Sequence, residues 1–488
     1  MSLSSALSNA VGGLGASAKR ADLISNNIAN AQTPGYTRRA AELGAAVLSG
    51  QGDGVRVLGV TLVQDTAAIA NRRLSDASLG AETAASGPLS TLSNAMGVPG
   101  SATALAELAA DLEIALTAAA NEPNSDPRLS SAVTSADRLV DKISGLASET
   151  QDLRAQADGD IARLVNTLNE NLASIEEING QIVSLTVSGA DTTGLMDLRK
   201  GLIDEISGIV PIREVTRNTG EVALFTANGG TLLDGRAAEV GFTATPLITQ
   251  DMTLASTALS GLTLGGLDAS VGSTDGSGVM DGGSLGALFI TRDQTLPTFA
   301  DQLDLLAEDL VERFQDPAID ATRAAGDAGL FTDDGAAYDP LNLAGLAGRL
   351  GLNAAVDPDA GGAVWRLRDG LGAAAPGLTG DGALLASLST AATTPRAPSL
   401  ALGFTGAGGI AAWAAGLTGT VATQAETAEA NVTYAATLNQ SFRDSEVATS
   451  GVDTDRELQE LLQVEQAYAA NALVLSTVDQ MINRLLEI

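Results

Sequence analysis

Apolar side chains recur every seven residues over the first thirty positions of the chain. The two rows of this pattern are Leu7, Leu14, Ala21 and Ile28, and Leu3, Ala10 and Ile24. Such spacing predicts a helix with a coiled-coil type of seam, and the alanines in it would let a second helix approach closely. Because Pro34 lacks an amide donor and Gly35 favours a turn, we expect this helix to end near Asn30.

The same spacing returns at the end of the chain. Its rows are Leu461, Tyr468, Leu475 and Ile482, and Val464, Val478 and Leu485, with Asn471 as the polar exception. A helix of about 35 residues from Asp453 would be a rod on the order of 50 Å long. Such a rod cannot bury its apolar stripe alone, so the pattern predicts that the two terminal helices pair with one another.

Between the two ends the pattern changes twice. Helical periodicity runs through residues 103–116, 129–185, 195–209, 284–314 and 421–442, and Pro211 ends the third of these segments. Residues 211–280 carry short β-branched runs separated by glycine turns, which predict short strands. Residues 316–415 are rich in Gly, Ala, Asp and Pro and show little periodicity.

These segments predict a mainly α protein with a small β-rich middle domain. The N- and C-terminal helices would pair as a coiled-coil-like base, with a long helical bundle above it and β-rich outer parts. The expected domains are a terminal helical assembly domain of residues 1–60 and 445–488, a helical bundle domain of residues 61–210, 284–315 and 420–444, a β-rich domain of residues 211–283, and a variable outer region of residues 316–419.

Composition narrows the class of function. The 59 acidic against 27 basic residues give a formal net charge of −32, which disfavours binding to nucleic acid or to anionic lipid. The sequence contains no cysteine and no histidine, so disulfides, thiolate sites, the usual zinc ligand and catalytic dyads built on imidazole are excluded. A net negative charge of this size makes copies of the chain repel one another, which would keep a concentrated, exported subunit soluble until it docks.

No motif points to catalysis, a cofactor or a metal. The segment from Gly406 to Ala411 loosely fits a dinucleotide fingerprint, but no flanking βαβ pattern accompanies it, and a turn before a helix is the better interpretation. The acidic loops at Asp333 and Asp357 lack the ligand spacing of a calcium loop. We therefore predict a protein that is not an enzyme and has no catalytic, cofactor-binding or metal-ligating residues.

The first basic residue is Lys19, and the residues before it are amphipathic rather than uniformly apolar. This pattern disfavours a cleaved signal peptide, and no weakly polar stretch reaches the roughly 20 residues of a membrane span. If the protein is secreted, we expect an export route that reads uncleaved termini.

Short segments at both ends carry a resemblance to a known family. Residues 25–30 read Ser-Asn-Asn-Ile-Ala-Asn and residues 33–38 read Thr-Pro-Gly-Tyr-Thr-Arg, and both resemble the signature shared by flagellar rod, hook and hook-associated proteins. Residues 450–453 and the segments around Glu457 and Tyr468 resemble the matching C-terminal signature. The Gly-Tyr-Thr-Arg turn and the Ser-Gly-Val opening resemble the hook-associated protein 1 (FlgK) family within this group.

Interior segments agree with this resemblance. Residues 197–202, 220–235 and 282–297 are similar to the helix-to-β transition and the next helical segment of that family. One departure is Arg39, which stands where the family often has Gln, so we expect a local contact to differ there.

The resemblance implies a structural subunit of the bacterial flagellum that forms the junction between hook and filament and permits flagellin filament assembly, and hence motility. It implies contacts with the hook protein, with the second junction protein (hook-associated protein 3), with further copies in a ring, and with a cytoplasmic export chaperone on the C-terminal helix. It also implies secretion by the flagellar type III export route, with no nucleic acid partner and no membrane insertion.

Three other interpretations stay open at this point. Another axial protein, such as a hook or distal-rod subunit, would share the terminal signatures. A secreted hydrolase or glycan-binding protein carried on the flagellum would hold its site in residues 316–415. The terminal stripes are also typical of the core of an ordinary intramolecular bundle.

The residues predicted to serve assembly lie on the terminal helices or in the turn after the first one. They are Leu7, Leu14, Ile24, Asn26, Asn27, Ile28, Asn30, Pro34, Gly35, Tyr36, Leu458, Leu461, Val464, Tyr468, Leu475, Val478, Ile482 and Leu485.

Overall fold

The computed structural model describes residues 3–33, 35–48, 51–324, 326–400 and 406–486, and most of these residues are helical. The helices are α1 (Leu3–Ala29), α2 (Thr66–Met96), α3 (Leu105–Asn121), α4 (Asp126–Ser188), α5 (Thr193–Ile209), α6 (Gly283–Ile290), α7 (Leu296–Gln315), α8 (Leu346–Arg349), α9 (Arg366–Asp369), α10 (Ala383–Thr393), α11 (Ile410–Ser450) and α12 (Thr454–Leu486). A π-helical turn at Thr291–Thr295 joins α6 to α7.

Short antiparallel strands make up the β structure. They are β1 (Arg39–Leu48), β2 (Gln51–Leu62), β3 (Ile212–Thr216), β4 (Val222–Thr226), β5 (Thr231–Asp234), β6 (Arg236–Ala237), β7 (Val240–Gly241), β8 (Leu262–Leu264), β9 (Leu267–Ala269), β10 (Phe331–Asp333) and β11 (Leu350–Leu352). The sheet orders are β1-β2, β3-β4-β5-β6, β7-β8-β9 and β10-β11. The mainly α fold with a small β-rich middle part is therefore confirmed.

The predicted helices form where seven-residue spacing was clearest. In α4, four residues seven positions apart are fully buried, namely Ile161, Leu168, Ile175 and Ile182. α5 ends two residues before Pro211, as expected. α11 is longer than the predicted 421–442 segment, because tertiary packing of Trp413 and Leu417 stabilises a Gly- and Ala-rich stretch with weak local preference.

By internal contacts the chain forms two compact units. The first contains Met1–Leu79, Asn166–Val240 and Ala435–Ile488, and the second contains Gly80–Val165 and Gly241–Tyr434. This division does not coincide with the four domains expected from the sequence, because the first unit combines the terminal helices with the sheet of β3 to β6.

One element of the first unit was not predicted. Residues 39–48 and 51–62, most of which were expected to belong to the helical assembly domain, form β1 and β2, and α1 packs against both strands. Register shifts near Leu43 and Val47 break the two-residue alternation. The sequence pattern was therefore too irregular to reveal these strands.

The core of the second unit joins α3, α4, α7, α10 and the start of α11. In the described parts of the weakly periodic segment 316–419, the buried apolar residues belong to this shared core, while Leu341 and Leu378 are exposed. Large side chains among the buried residues are Phe331, Leu346, Val356, Leu367 and Leu385. Since each short element contributes at most three buried apolar side chains to this core, no repeat was visible in the sequence.

Candidate assembly site

The candidate site is the contact between α1 and α12 in the first unit. On α1 the buried residues are Ala10, Ala16, Ser17, Leu23, Ile24 and Asn27, and on α12 they are Glu457, Val464 and Val478. Residues 10, 17 and 24 repeat every seven positions, and so do residues 457, 464 and 478 if position 471 is left out, which is the spacing of a coiled-coil seam. The expected pairing of the terminal helices is thus present.

The residues predicted to serve assembly fall into three groups by exposure. The buried ones are Ile24, Asn27, Val464 and Val478. Those of intermediate burial are Leu7, Leu14, Ile28, Asn30, Tyr36, Leu461, Leu475 and Ile482. The exposed ones are Asn26, Gly35, Leu458, Tyr468 and Leu485. Pro34 lies outside the described residues.

Two adjacent glycines let α1 approach both of its neighbours. A Cβ atom on Gly12 would lie 2.7 Å from the carbonyl oxygen of Val55 in β2, and one on Gly13 would lie 2.6 Å from Asn471 Nδ2 in α12. Both distances are too short for carbon contacts. The polar exception in the α12 stripe therefore lies opposite a position that has no side chain.

Asn27 is the centre of the polar part of this contact. Its side-chain amide donates to Glu457 Oε2 at 3.0 Å and to the Arg39 carbonyl at 3.0 Å. Its Oδ1 accepts from the Tyr36 hydroxyl at 2.9 Å and from the Arg39 amide at 3.0 Å. All donor and acceptor positions of this buried amide are used, so Asn27 joins α1, the turn after it and α12.

Glu457 carries a buried negative charge that Arg38 compensates. Arg38 Nε lies 2.6 Å from Glu457 Oε1, and its Nη2 lies 2.9 Å from Glu460 Oε1. Burial alone lowers the pKa of Arg38, but the nearby carboxylates outweigh that effect and raise its pKa above the usual value. Arg38 also donates its backbone amide to the Ser450 carbonyl at 3.2 Å, which fixes the connection between α11 and α12.

Arg39, the departure from the family pattern, makes contacts of its own. Its Nη2 lies 3.2 Å from Asp197 Oδ2 in α5, and its guanidinium lies 4.9 Å from the centre of the Tyr36 ring. Burial raises the pKa of Tyr36, and the positive charge of Arg39 partly opposes that shift. Arg39 therefore makes a cation–π stack joined to an ion pair.

Asn26 and Asn30 serve the end of α1 rather than the contact with α12. The side-chain amide of Asn26 donates to the backbone carbonyl of Asp22 at 3.0 Å, and the side-chain amide of Asn30 donates to the backbone carbonyl of Asn26 at 2.9 Å. Thr33 Oγ1 then donates to Asn30 Oδ1 at 3.2 Å. These bonds occupy carbonyls near the last turn of the helix and shape the turn that leads to Tyr36.

A buried charge cluster near this site was not predicted from the sequence. Arg72 in α2 is 4% exposed and contacts Asp76, Asp204 in α5, and Glu446 in α11, with 2.6 Å from its Nε to Glu446 Oε2. Lys200 Nζ lies 2.8 Å from Glu446 Oε1 and 3.0 Å from Asp204 Oδ2. The cluster joins α2, α5 and the last turns of α11.

The charges in this cluster hold one another ionised. Burial opposes the charged form of Arg72, but Asp204 and Glu446 raise its pKa well above the usual value. Burial likewise raises the pKa of Asp204, but Arg73, Lys200 and Arg72 outweigh it, so the pKa of Asp204 lies below its usual value. Charged residues on a predicted helix normally mark a solvated face, so no signal in the sequence distinguished these residues.

Many apolar side chains of α12 are not covered by α1. We define the exposed apolar set of α12 as Leu458, Leu462, Tyr468, Leu473, Val474, Met481, Leu485 and Leu486. Leu473 is 70% exposed and Leu486 is 79% exposed. A helix that exposes this many large apolar residues has the composition of an interaction surface.

Comparison with protein families matches three parts of the chain. Residues 7–37 match the model described as flagella basal body rod protein, and residues 445–488 match the one described as flagellar basal body rod FlgEFG protein C-terminal. Residues 89–330 match the helical domain of flagellar hook-associated protein FlgK. The chain belongs to the FlgK family. The two terminal matches contain most of α1 and all of α12, and the central match contains α3, α4 and α5.

Curated FlgK-family relatives carry the name flagellar hook-associated protein 1. The protein from Escherichia coli is 26% identical over 67% of this chain and 59% of its own length. The protein from Salmonella typhimurium is 27% identical over 64% of this chain and 56% of its own length. This chain therefore spans less than two thirds of the length of these relatives. The solved structure of the flagellar hook junction protein FlgK from Burkholderia pseudomallei aligns with a TM-score of 0.42 and 20% identity, over 54% of this chain and 46% of that one.

Two further properties hold for the part of the chain that the structure describes. In that part, no helix is both long enough and apolar enough to cross a membrane. Its carboxylates nowhere gather in a group of three or more that could hold a metal ion.

Proposed function

We propose that this chain is a structural subunit of the bacterial flagellum, located at the junction between hook and filament, where it permits flagellin to polymerise. The observation that carries this proposal is the α1–α12 pair. Asn27 and Glu457 join the two helices internally, while α12 still exposes its apolar set to other molecules. The two helices are therefore held together within one subunit, but the apolar surface of α12 still needs a partner to cover it.

Neighbouring subunits would cover the exposed apolar set. Removing apolar surface from water contributes roughly 25 cal/mol per Å², and α12, the helix that carries the set, is already ordered by α1 and by the Arg38–Glu457 pair. Less conformational entropy is then lost when a copy docks. In this proposal, copies pack side by side into a ring through the assembly residues of α1 and α12.

The partners in this proposal follow from the position of the ring. One side meets the hook protein, and the other meets the second junction protein, hook-associated protein 3. Before export, a cytoplasmic chaperone covers the apolar residues of α12, and the chain leaves the cell by the flagellar type III route without a cleaved signal peptide. The role is structural, not enzymatic.

A hook or distal-rod subunit is the second candidate. It is favoured by the two terminal matches, whose families are described as basal body rod proteins. The match of residues 89–330 to the FlgK helical domain favours the junction instead, because it covers much of the interior of the chain. The two candidates differ in where the protein is found along the flagellum.

Immuno-electron microscopy of isolated flagella tests this proposal. We expect antibody against this chain to label a narrow band where the hook ends and the filament begins. We also expect a strain that lacks the gene to build hooks and release flagellin monomers into the medium. Labelling along the whole hook or at the rod, or normal filaments in the deletion strain, would contradict the junction role.

A further inference from the structure

A groove in the first unit lies outside the α1–α12 contact. Its volume is about 690 Å³, and it lies between the end of β2, the start of α2, α5 and β3. Apolar side chains such as Ile69, Met196 and Ile203 line it, and Leu74 and Val215 at its sides are 46% and 50% exposed. The groove therefore combines an apolar lining with a neighbouring strand.

That strand, β3, is an edge strand of its sheet, whose order is β3-β4-β5-β6. The bonds flanking its pairing with β4 run from the Arg217 amide to the Glu221 carbonyl at 2.8 Å and from the Ala227 amide to the Pro211 carbonyl at 2.8 Å. In an antiparallel ladder, hydrogen-bonded pairs alternate along the strand. With the register Ile212↔Thr226, the backbone groups of residues 212, 214 and 216 thus point away from β4. Among them, Glu214 and Thr216 are exposed and form an open edge beside the groove, whereas Ile212 is buried.

The charge of the groove is unlike that of the rest of the chain. Four of the 27 basic residues line it, namely Arg73, Arg199, Lys200 and Arg213, against one of the 59 acidic residues, Glu214. Arg73 is paired with Asp204 and Glu214.

Two of these cations are less fully compensated than Arg73. The side-chain bonds of Arg199 go to neutral oxygens, at 2.8 Å to Asn179 Oδ1 and 2.8 Å to the Gly220 carbonyl. Arg213 is exposed. An acidic segment would therefore find positive charge beside an open strand edge.

We propose that an extended, acidic segment of a second copy of this chain adds to the outer edge of β3 as a further strand. Backbone bonds to residues 214 and 216 would set its register, its apolar side chains would enter the groove, and its carboxylates would pair with Arg213 and Arg199. A second copy is the occupant because its net charge of −32 complements the groove. This inference rests on the proposed function, which places copies next to one another.

Site-specific photo-crosslinking in assembled flagella tests the inference. The full chain carrying Val215→benzoylphenylalanine would be expressed in the deletion strain, and intact flagella would be irradiated and analysed by gel and by peptide mass spectrometry. We expect a dimer of the chain in which position 215 is joined to an acidic peptide. The matched control is Arg236→benzoylphenylalanine, an exposed position on β6 at the other end of the same sheet.

Charge reversal sharpens the test. We expect Arg213→Glu to lower the crosslinking yield at position 215 about tenfold, while Arg236→Glu leaves it unchanged, since only the first changes the charge of the groove. Far-UV circular dichroism and thermal unfolding of the purified chains verify that both variants fold.

Crosslinks from position 215 to a different flagellar protein, to the same chain, or at no higher yield than from position 236 would overturn the inference. Immuno-labelling of the same flagella separates the two proposals. Labelling at the junction without the 215 dimer refutes only the groove inference, and a 215 dimer in flagella labelled elsewhere refutes only the junction role.

Discussion

The side-chain amide of Asn27 donates to Glu457 at 3.0 Å, although 430 positions separate the two residues in the sequence. Both are only 1% exposed. Buried polar groups such as these have few alternative hydrogen-bond partners. Their contact therefore fixes the alignment of α1 along α12. An apolar stripe rich in alanine would tolerate several alignments, and Asn27 and Glu457 select one of them.

We expect Asn27→Ala to destabilise the α1–α12 pair by about 3 kcal/mol, because Glu457 and the backbone of Arg39 would lose buried partners. Faster amide hydrogen exchange in α12 would report the loss. Asn26→Ala is the matched control, since Asn26 is exposed and bonds only within its own helix. Equal exchange rates in the two variants would contradict the role assigned to Asn27.

Glu457→Gln should cost about 3 kcal/mol of unfolding free energy, because Arg38 would keep its charge in a site that has lost its most buried anion. Glu460→Gln should cost less than about 1 kcal/mol, because its side chain is 31% exposed and its pair is partly screened by solvent. Urea unfolding followed by circular dichroism measures both. The assignment fails if the order of the two effects is reversed.

Gly13→Ala should destabilise the pair of helices by about 1 kcal/mol, because the new methyl group would collide with Asn471. The double variant Gly13→Ala with Asn471→Ala should recover most of that loss, which a double-mutant cycle measures. Gly15→Ala is the control. Nothing lies within 4 Å of its Cβ position, so alanine there should stabilise the helix by about 0.5 to 1 kcal/mol.

Leu473→Asp should leave the isolated chain folded and abolish its incorporation into flagella, because Leu473 is 70% exposed in this chain and would be covered only by a neighbouring subunit. Ser476→Asp adds the same charge at another exposed position of α12, and a strain that carries it should swim normally. Motility on soft agar, with immunoblots of secreted protein, distinguishes the two. Normal swimming of the Leu473 variant would remove the exposed apolar set from the assembly interface.

Asp304 should make the second unit less stable as pH rises. Its carboxylate accepts from the Ala347 amide at 2.8 Å and the Gly345 amide at 2.7 Å, but burial outweighs these bonds and raises the pKa of Asp304 to about 6. Between about pH 4 and 6 the folded state therefore binds more protons than the unfolded state, and stability falls with rising pH.

The expected loss from Asp304 is about 3 kcal/mol across that window and levels off above it. Asp304→Asn cannot titrate, so the difference in pH slope between the two proteins isolates this residue whatever the absolute stability of the variant. Urea unfolding at pH steps from 4.5 to 8 measures the slope. Parallel slopes would show that the pKa of Asp304 is not raised.

The sequence by itself determined the terminal helices, the long helix α4 and the pairing of the ends. A seven-residue repeat is a local property, so the rows in α1, α4 and α12 were visible without knowledge of what covers them. The turn at Gly35 and the break before Asp453 followed from the same local chemistry. The terminal signatures then identified the family to which these helices belong.

Tertiary structure alone decided the partners of the polar residues. Arg72 reads as a solvated helix residue, yet it is buried among carboxylates from α2, α5 and α11 that lie up to 374 positions away. The β1-β2 hairpin exists because α1 packs against it through Gly12, a contact that no pattern in residues 39–62 reports. The described parts of residues 316–419 fold against helices whose periodicity they do not share. In each case the free energy comes from groups distant in sequence, and only the folded chain brings those groups together.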